Sequence, residues 1–199
     1  MKATSTYEVP FRRRKEGKTN YKKRLASIKS GLPRMCVRKS NKHIVLQLIA
    51  FEPKGDKALV HVSSKHLEQF GWLSGKNLPS AYLTGMLLAA KAKKSNVNKA
   101  ILDIGFNTPI HGSRIFSALK GAVDNGLDVK FEETALPSEE RASGKHIEDY
   151  AKSLNDEELK KHFSKYIEKG INVKELTKLF NEVKEKIAKD SGKETKVEK

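Results

Sequence analysis

The apolar positions of this chain recur in two rhythms, one of helical and one of strand period. Tyr21, Leu25 and Ile28 fall at i, i+4 and i+7, the spacing of one helix face. A helix is expected from Thr19, a capping residue type, to about Ser30, with that stripe resting on a core. Gly31-Leu32-Pro33 breaks the pattern. Three segments rich in β-branched and aliphatic residues follow: Arg34 to Arg38, His43 to Phe51 and Lys57 to Val62. Their connectors are short and polar, Lys39-Ser40-Asn41-Lys42 and Pro53-Lys54-Gly55-Asp56, so they should form an antiparallel meander. Ile44 to Ile49 is nearly all apolar and reads as a central strand covered on both faces.

Residues 63–78 are polar and glycine-rich, with one helical turn expected near His66 to Phe70. Pro79 stands where a helix begins. Tyr82, Leu83, Met86, Leu87 and Ala90 give that helix an apolar face, and Lys91, Lys93 and Lys94 suit its C-terminus. Lys99 to Ile104 reads as a strand. Gly112 to Asp124 reads as a helix with Ile115, Phe116, Leu119 and Val123 on one side, and Leu127 to Phe131 as a short strand. Such a β-α-β unit crosses over right-handed and pairs its strands in parallel. The expected fold is α/β: a mixed sheet, a three-strand antiparallel meander then β-α-β, covered by helices.

Beyond Thr134 the pattern becomes helical and charge-balanced. Asn155-x-x-Glu158 and Asn172-x-x-Glu175 resemble capping boxes. Val173, Leu176, Leu179, Phe180, Val183 and Ile187 form a stripe that should dock on the chain's own core or, failing that, on a partner. Asp190 to Lys199 reads as a disordered polar tail. The expected organisation is a basic arm and helix at 1–30, an α/β core at 31–135 and a helical extension at 136–199.

Charge adds what periodicity does not. The 199 residues carry a formal net charge of +16, which points to a polyanionic partner, nucleic acid or an anionic membrane surface. Residues 1–43 hold 14 Lys and Arg against Glu8 and Glu16; residues 44–134 hold 11 against 8 acids, and residues 135–199 hold 15 against 14. Most of the excess therefore sits in the first fifth of the chain, which a merely soluble basic surface does not predict. Within FRRRKEGKTNYKKRL, residues 11–25, eight cations face only Glu16. Lys22 and Lys23 lie in the first turn of the expected helix, the wrong sign for its dipole; a bound phosphate would offset that. Gly17 should divide the run into an extended part, Phe11 to Glu16, that orders along RNA, and a helical part from Thr19.

The lone cysteine, Cys36, excludes an intrachain disulfide and a thiolate metal cluster and suits a reducing, cytosolic setting. The longest apolar stretch, Ile44 to Phe51, is far short of a membrane span, and no secretory signal is expected.

The element order raises a nuclease of ribonuclease H-like architecture as one alternative. That chemistry needs several carboxylates on neighbouring strands and helices to hold two metal ions. The first strand carries Arg34 and Arg38 and no acid, and no Asp or Glu lies between Pro79 and Asn98. Asp103 alone cannot build the site; a loop-organising role, pairing with Arg114 or nearby backbone, is expected of it. His61 and His66 lack acidic or thiol companions for a metal. Gly71 to Asn77 looks like a damaged phosphate loop and reads as a surface loop. Ser63, Ser64, Ser113 and Cys36 have no evident base. No catalytic constellation, metal site or cofactor site is expected.

RNA-binding signals are stronger. Arg34, Arg38, Lys39, Lys42 and His43 continue the arm's cations onto the first hairpin, with Ser40, Asn41 and Gln47 as polar donors and acceptors among them. Arms of this kind pair with phosphates and fold on binding. Tyr7, Phe11 and Tyr21 lie among the cations and suit stacking on bases; Tyr21 equally suits packing. Gly105 to Pro109 and Gly112-Ser113-Arg114, at a helix start, suit a second anion site, although a tight β-α turn needs glycines too. A non-specific nucleic-acid-binding or membrane-surface protein shares the net charge and stays a further alternative.

Four stretches together resemble the archaeal branch of the ribosomal protein L-eighteen family of the large subunit: Val9 to Tyr21, Arg38 to His43, Leu78 to Gly85 (LPSAYLTG) and Leu102 to Gly105. The resemblance spans roughly residues 7–150 and fades in the C-terminal helices. It implies a non-enzymatic cytoplasmic protein that binds 5S rRNA and attaches it to 23S rRNA in the central protuberance, beside the large-subunit protein numbered five. It implies no membrane and no small-molecule substrate. The rRNA contacts so implied or read above are the arm (Arg12, Arg13, Arg14, Lys15, Lys18, Tyr21, Lys22, Arg24), the first hairpin (Arg34, Arg38, Lys39, Ser40, Asn41, Lys42, His43, Gln47) and the loop at Asn107, Ser113 and Arg114.

Overall fold

The computed structural model describes residues 8–192; Tyr7 and the tail beyond Gly192 lie outside them. Two short helices open the chain, α1 (Arg12–Lys15) and α2 (Tyr21–Ile28). The meander follows as β1 (Arg34–Lys39), β2 (Ile44–Ala50) and β3 (Lys57–Ser63). A 3-10 turn at Ser64–Phe70 leads to α3 (Leu78–Lys94), then β4 (Lys99–Asp103), α4 (Arg114–Asp124) and β5 (Asp128–Val129). The C-terminal part is helical: α5 (Glu139–Ser143), α6 (Lys145–Ser153), α7 (Asp156–His162), α8 (Ser164–Glu168) and α9 (Leu176–Gly192).

The sheet order is β3-β2-β1-β4-β5. The β1–β2 and β2–β3 pairs are antiparallel, whereas β1–β4 and β4–β5 are parallel. The expected mixed sheet is thus present, but its central strand is β1. Four of its six residues, Arg34 to Val37, are buried. β2 alternates buried and half-buried positions, so the expectation that it is covered on both faces does not hold. Pairing with β4 puts β1 mid-sheet, and no local pattern encodes that.

Strand alternation sends Met35, Val37, Leu46, Leu48, Val60 and Val62 to one face. There they join Leu83, Leu87, Leu88 and Leu119 in the core. α3 is buried nearly all round rather than along one face: the sheet lies beneath it, α4 beside it and α9 against it. The stripe of α9 docks on the chain's own core, with Leu176, Phe180, Val183 and Ile187 all buried. Helix α9 runs on to Gly192, so Asp190 to Gly192 are helical rather than tail. The Gly71–Asn77 segment is not simply a surface loop either. Trp72 is 1% exposed, donates from Nε1 to Ser80 Oγ at 2.8 Å and meets the Phe180 ring edge-on.

Of the two expected capping boxes, Asn155 with Glu158 forms one. Asn172 caps a 3-10 turn at Lys174 N, while Glu175 turns to Lys178 instead.

Candidate nucleic-acid interface

The second face of the sheet carries Arg34, Cys36, Arg38, Gln47 and Asp103, set by the registers Cys36↔Gln47 and Cys36↔Asp103. The arm lies over part of it. Arg13, Lys18, Thr19, Asn20, Lys23 and Arg24 wall one side of a cleft of about 180 Å³; the sheet residues, with Ile49, Asp56 and Gly105, form the other.

Local chemistry folds the arm. Phe11 to Glu16 is not extended. Arg12–Lys15 forms a helical turn, closed by Gly17 at φ +65° with Gly17 N donating to Arg14 O and Lys18 N to Arg13 O. That left-handed glycine closure sets the direction of the next segment. Glu16 pairs with Lys18 at 2.7 Å and Arg12 at 3.6 Å, which offsets the repulsion of the run. Asn20, not Thr19, caps α2, accepting from Lys23 N; Thr19 Oγ1 instead accepts from Arg13 Nε. The expected stripe does not rest on the core as a unit. Leu25 is 57% exposed, and Tyr21 packs at a tilt against Phe11 with ring centroids 5.0 Å apart. The face of α2 turned inward is Tyr21, Arg24, Ser27 and Ile28, so of the expected stripe only Leu25 points away.

A chain of charges fastens α2 to the sheet. Arg24 Nη2 lies 2.8 Å from Asp56 Oδ1, and Asp56 Oδ2 accepts from Arg34 Nη2 at 2.5 Å. Arg34 Nη1 reaches Asp103 Oδ2 at 3.1 Å, and Arg38 Nη2 the same oxygen at 3.4 Å. Asp103 Oδ1 accepts from Gly105 N, so Asp103 organises the loop through backbone as expected. Its cationic partners, however, are Arg34 and Arg38, not Arg114. Burial alone would push the Asp103 carboxyl up; the Arg38 guanidinium, the Gly105 amide, the Cys36 thiol and Arg34 together hold it below the usual range. Burial, and next the Asp103 charge, pushes the Cys36 thiol up to about 12, so it stays protonated and unreactive.

This geometry sorts the expected contacts. Arg34 is 5% exposed and held by two carboxylates, so it supports the surface rather than facing a ligand. Arg24 is half-buried in the same chain. Arg38 is half-exposed, its guanidinium against Gly105. Arg12, Arg13, Arg14, Lys15, Lys18 and Lys22 are exposed along the arm, and Lys39, Ser40, Asn41 and Lys42 at the hairpin tip. Ser40 Oγ is engaged in the turn, accepting from His43 N and donating to His43 O. His43 Nδ1 lies 3.0 Å from Ser74 Oγ, and Gln47 lines the cleft. Asn107 closes its own turn, donating to Ile104 O. Ser113 and Arg114 line a cleft with Lys76, Arg141 and His146, and Asn107 is not among its lining residues. Sequence reasoning did not single out Asp56, Lys76, Arg141 or His146 as parts of these surfaces. A buried arginine in a strand needs an acid, which was the available signal for Asp56.

Among the described residues no group of three or more His, Cys, Asp or Glu is placed to hold a metal. His66 Nδ1 instead accepts from Ser63 N in a capping box. No helix among the described residues is long and apolar enough to cross a membrane.

Comparison with known proteins adds independent findings. The family model described as "Ribosomal large subunit proteins 60S L5, and 50S L18" matches residues 5–99 and 90–132. The large ribosomal subunit protein uL18 of Korarchaeum cryptofilum is 46% identical over 190 residues, covering 94% of this chain and 97% of the relative. Proteins of the same name from Methanothermobacter thermautotrophicus and Methanobrevibacter smithii are 46% and 47% identical over 182 and 188 residues. These alignments cover 91% and 94% of this chain, and 95% and 97% of those relatives.

Proposed function

The chain belongs to the family of ribosomal large-subunit proteins that includes 60S L5 and 50S L18, and from that premise we propose that it binds 5S rRNA and attaches it to 23S rRNA in the central protuberance, beside the large-subunit protein numbered five. As a family member it is a ribosomal constituent and not an enzyme.

One observation carries the RNA-binding reading: the arm's cations are held over the open sheet face by the Arg24–Asp56–Arg34–Asp103–Arg38 chain. The two carboxylates neutralise the buried end of that chain and leave the outer cations unopposed. Arg14, Lys15, Lys22, Lys23, Lys39 and Lys42 are exposed and have no carboxylate partner among the described residues. Such cations bind by neutralising phosphates and releasing counterions, while the fastened helix and sheet fix register and shape. The Phe11–Tyr21 pair, with Phe11 exposed, offers an aromatic surface to an unstacked base.

A titration of 5S rRNA across salt tests this. Six phosphate contacts predict that log K falls with log[salt] with a slope magnitude of roughly four to five. A slope near zero, or equally tight binding of duplex DNA at equal salt, overturns the reading.

A further inference from the structure

We propose that Asn125-Gly126 is a self-modification site held closed by the fold: the native end of α4 blocks intramolecular deamidation of Asn125, and each opening of that end exposes the chain to an irreversible conversion of Asn125 to aspartate or isoaspartate. The inference is independent of the rRNA-binding reading.

The hazard lies in the sequence. Asn125-Gly126 is the single Asn-Gly pair among the 199 residues. In such a pair the backbone nitrogen of the glycine attacks the asparagine Cγ. The N–Cγ bond forms, the Cγ–Nδ2 bond breaks, and Nδ2 leaves as ammonia with the proton of the attacking amide. Water then adds at either carbonyl of the cyclic imide and opens it to aspartate or isoaspartate. No oxidant, metal or cofactor enters. Glycine makes the ring easiest to close, because it has no side chain to obstruct the approach.

The fold locks each participant. The nucleophile is engaged, since Gly126 N donates to Val123 O at 2.8 Å. The leaving group is engaged too: Asn125 Nδ2 donates to Met86 O of α3 at 2.8 Å, in a buried bond. The backbone torsion is also wrong for the ring. Asn125 caps α4 with ψ 16°, which brings the Gly126 nitrogen near Asn125's own nitrogen and turns it from Cβ. Ring closure needs that nitrogen beside Cβ. Leu127 completes the lock, buried and donating from its backbone N to Ala122 O at 3.0 Å, so the helix ends in a closed left-handed turn of the Schellman type.

The same contacts explain why the hazardous pair stands there. Gly126 has φ +88°, a conformation that residues with a side chain rarely adopt. The Asn125 amide ties the end of α4 to α3, and a carboxylate cannot donate that bond.

Neither product restores the lock. Aspartate sets an acceptor against the Met86 carbonyl at a position only 9% exposed, and a buried polar group left unpaired costs free energy. Isoaspartate adds a carbon to the backbone and breaks the closure at Gly126. The rate is scaled by the fraction of time that the α4 end is open, so whatever binds only the folded chain slows the loss.

The test incubates the full chain in mildly alkaline buffer, once native and once unfolded in guanidinium chloride. Digestion and mass spectrometry then follow the peptide carrying residue 125, whose mass rises as a hydroxyl replaces an amino group. Asn125 is expected to convert at least roughly a hundredfold more slowly in the native chain, and faster with each sub-denaturing step of guanidinium chloride. A native rate within about threefold of the unfolded rate overturns the proposal. So does a native rate that guanidinium chloride leaves unchanged below the midpoint of unfolding. Asn125→Asp, which encodes the first product, should melt below the parent chain or fail to fold. Melting at the parent's temperature would overturn the irreversibility.

Discussion

Gly85 of α3 and Gly121 of α4 mark the two sides of one helix crossing made at backbone contact. A Cβ on Gly85 would lie 2.0 Å from the Ala118 carbonyl oxygen, and one on Gly121 would lie 2.0 Å from the Tyr82 carbonyl oxygen. No side chain can relax to relieve either approach, because the obstacle is backbone on both sides. This crossing holds α4, and hence the Ser113–Arg114 end of it, against the buried helix α3. Gly85→Ala and Gly121→Ala should each cost roughly 3 kcal/mol, read as a lower urea midpoint. A loss below about 0.5 kcal/mol would show that the helices separate freely.

Asp56 serves two arginines, Arg24 on α2 and buried Arg34 on β1. Asp56→Asn should therefore loosen the arm and destabilise the sheet together. Removing one partner of a buried ion pair costs about 3 kcal/mol, with Asp103 retaining part of the pairing. Amide exchange across Tyr21–Ile28 should quicken more than exchange in α3. Equal quickening of both helices would count against a latch.

Arm cations and buried cations should separate under mutation. Lys22→Gln and Lys23→Gln should each reduce the salt slope of 5S rRNA binding by roughly 0.7 to 0.9 with the melting temperature unchanged. Arg34→Gln should instead lower the melting temperature, because it leaves Asp56 and Asp103 without their shared counterion. A salt-slope change from Arg34→Gln in fully folded protein would show that Arg34 touches RNA after all.

Two carboxylates should shape stability in acid. Glu148 on α6 accepts from Lys152 Nζ, and from Thr177 N and Oγ1 at the start of α9. These bonds, Lys152 first, lower its pKa from the ordinary 4.5 to about 2. Asp103 is likewise held below its ordinary 3.8. A depressed folded pKa means the unfolded chain binds the proton first as pH falls. The stabilisation is therefore complete above the ordinary value and is lost as pH drops through the folded one. Between pH 4.5 and 2, Glu148→Gln should flatten the fall of melting temperature with pH relative to the parent chain. An unaltered acid slope would contradict the capping role.

Much of the architecture was legible because its causes are local. Strand-forming composition and short polar connectors place all five strands within about two residues. The α9 stripe also announced a buried face. The arm was read less well. Its helical turn at Arg12–Lys15 depends on the left-handed closure at Gly17 and on Glu16 bridging two cations, which a count of repelling charges misses. Thr19 and Asn20 are both capping types, and which of them caps is decided by Arg13 engaging Thr19.

Sequence alone determined the class of this protein. The concentration of cations in its first fifth, the absence of an acid from its first strand and the two hydrophobic periods each depend only on residue type and order. The tertiary structure decided which cations face outward. Arg34 and Lys39 end the same strand and carry the same charge, yet one is buried between carboxylates and the other is exposed. Parallel pairing with β4 brings Asp103 beside β1, and the meander brings Asp56 there from the far end of a hairpin. Such pairings join residues far apart in sequence, and they set the sign and reach of the field that a phosphate meets.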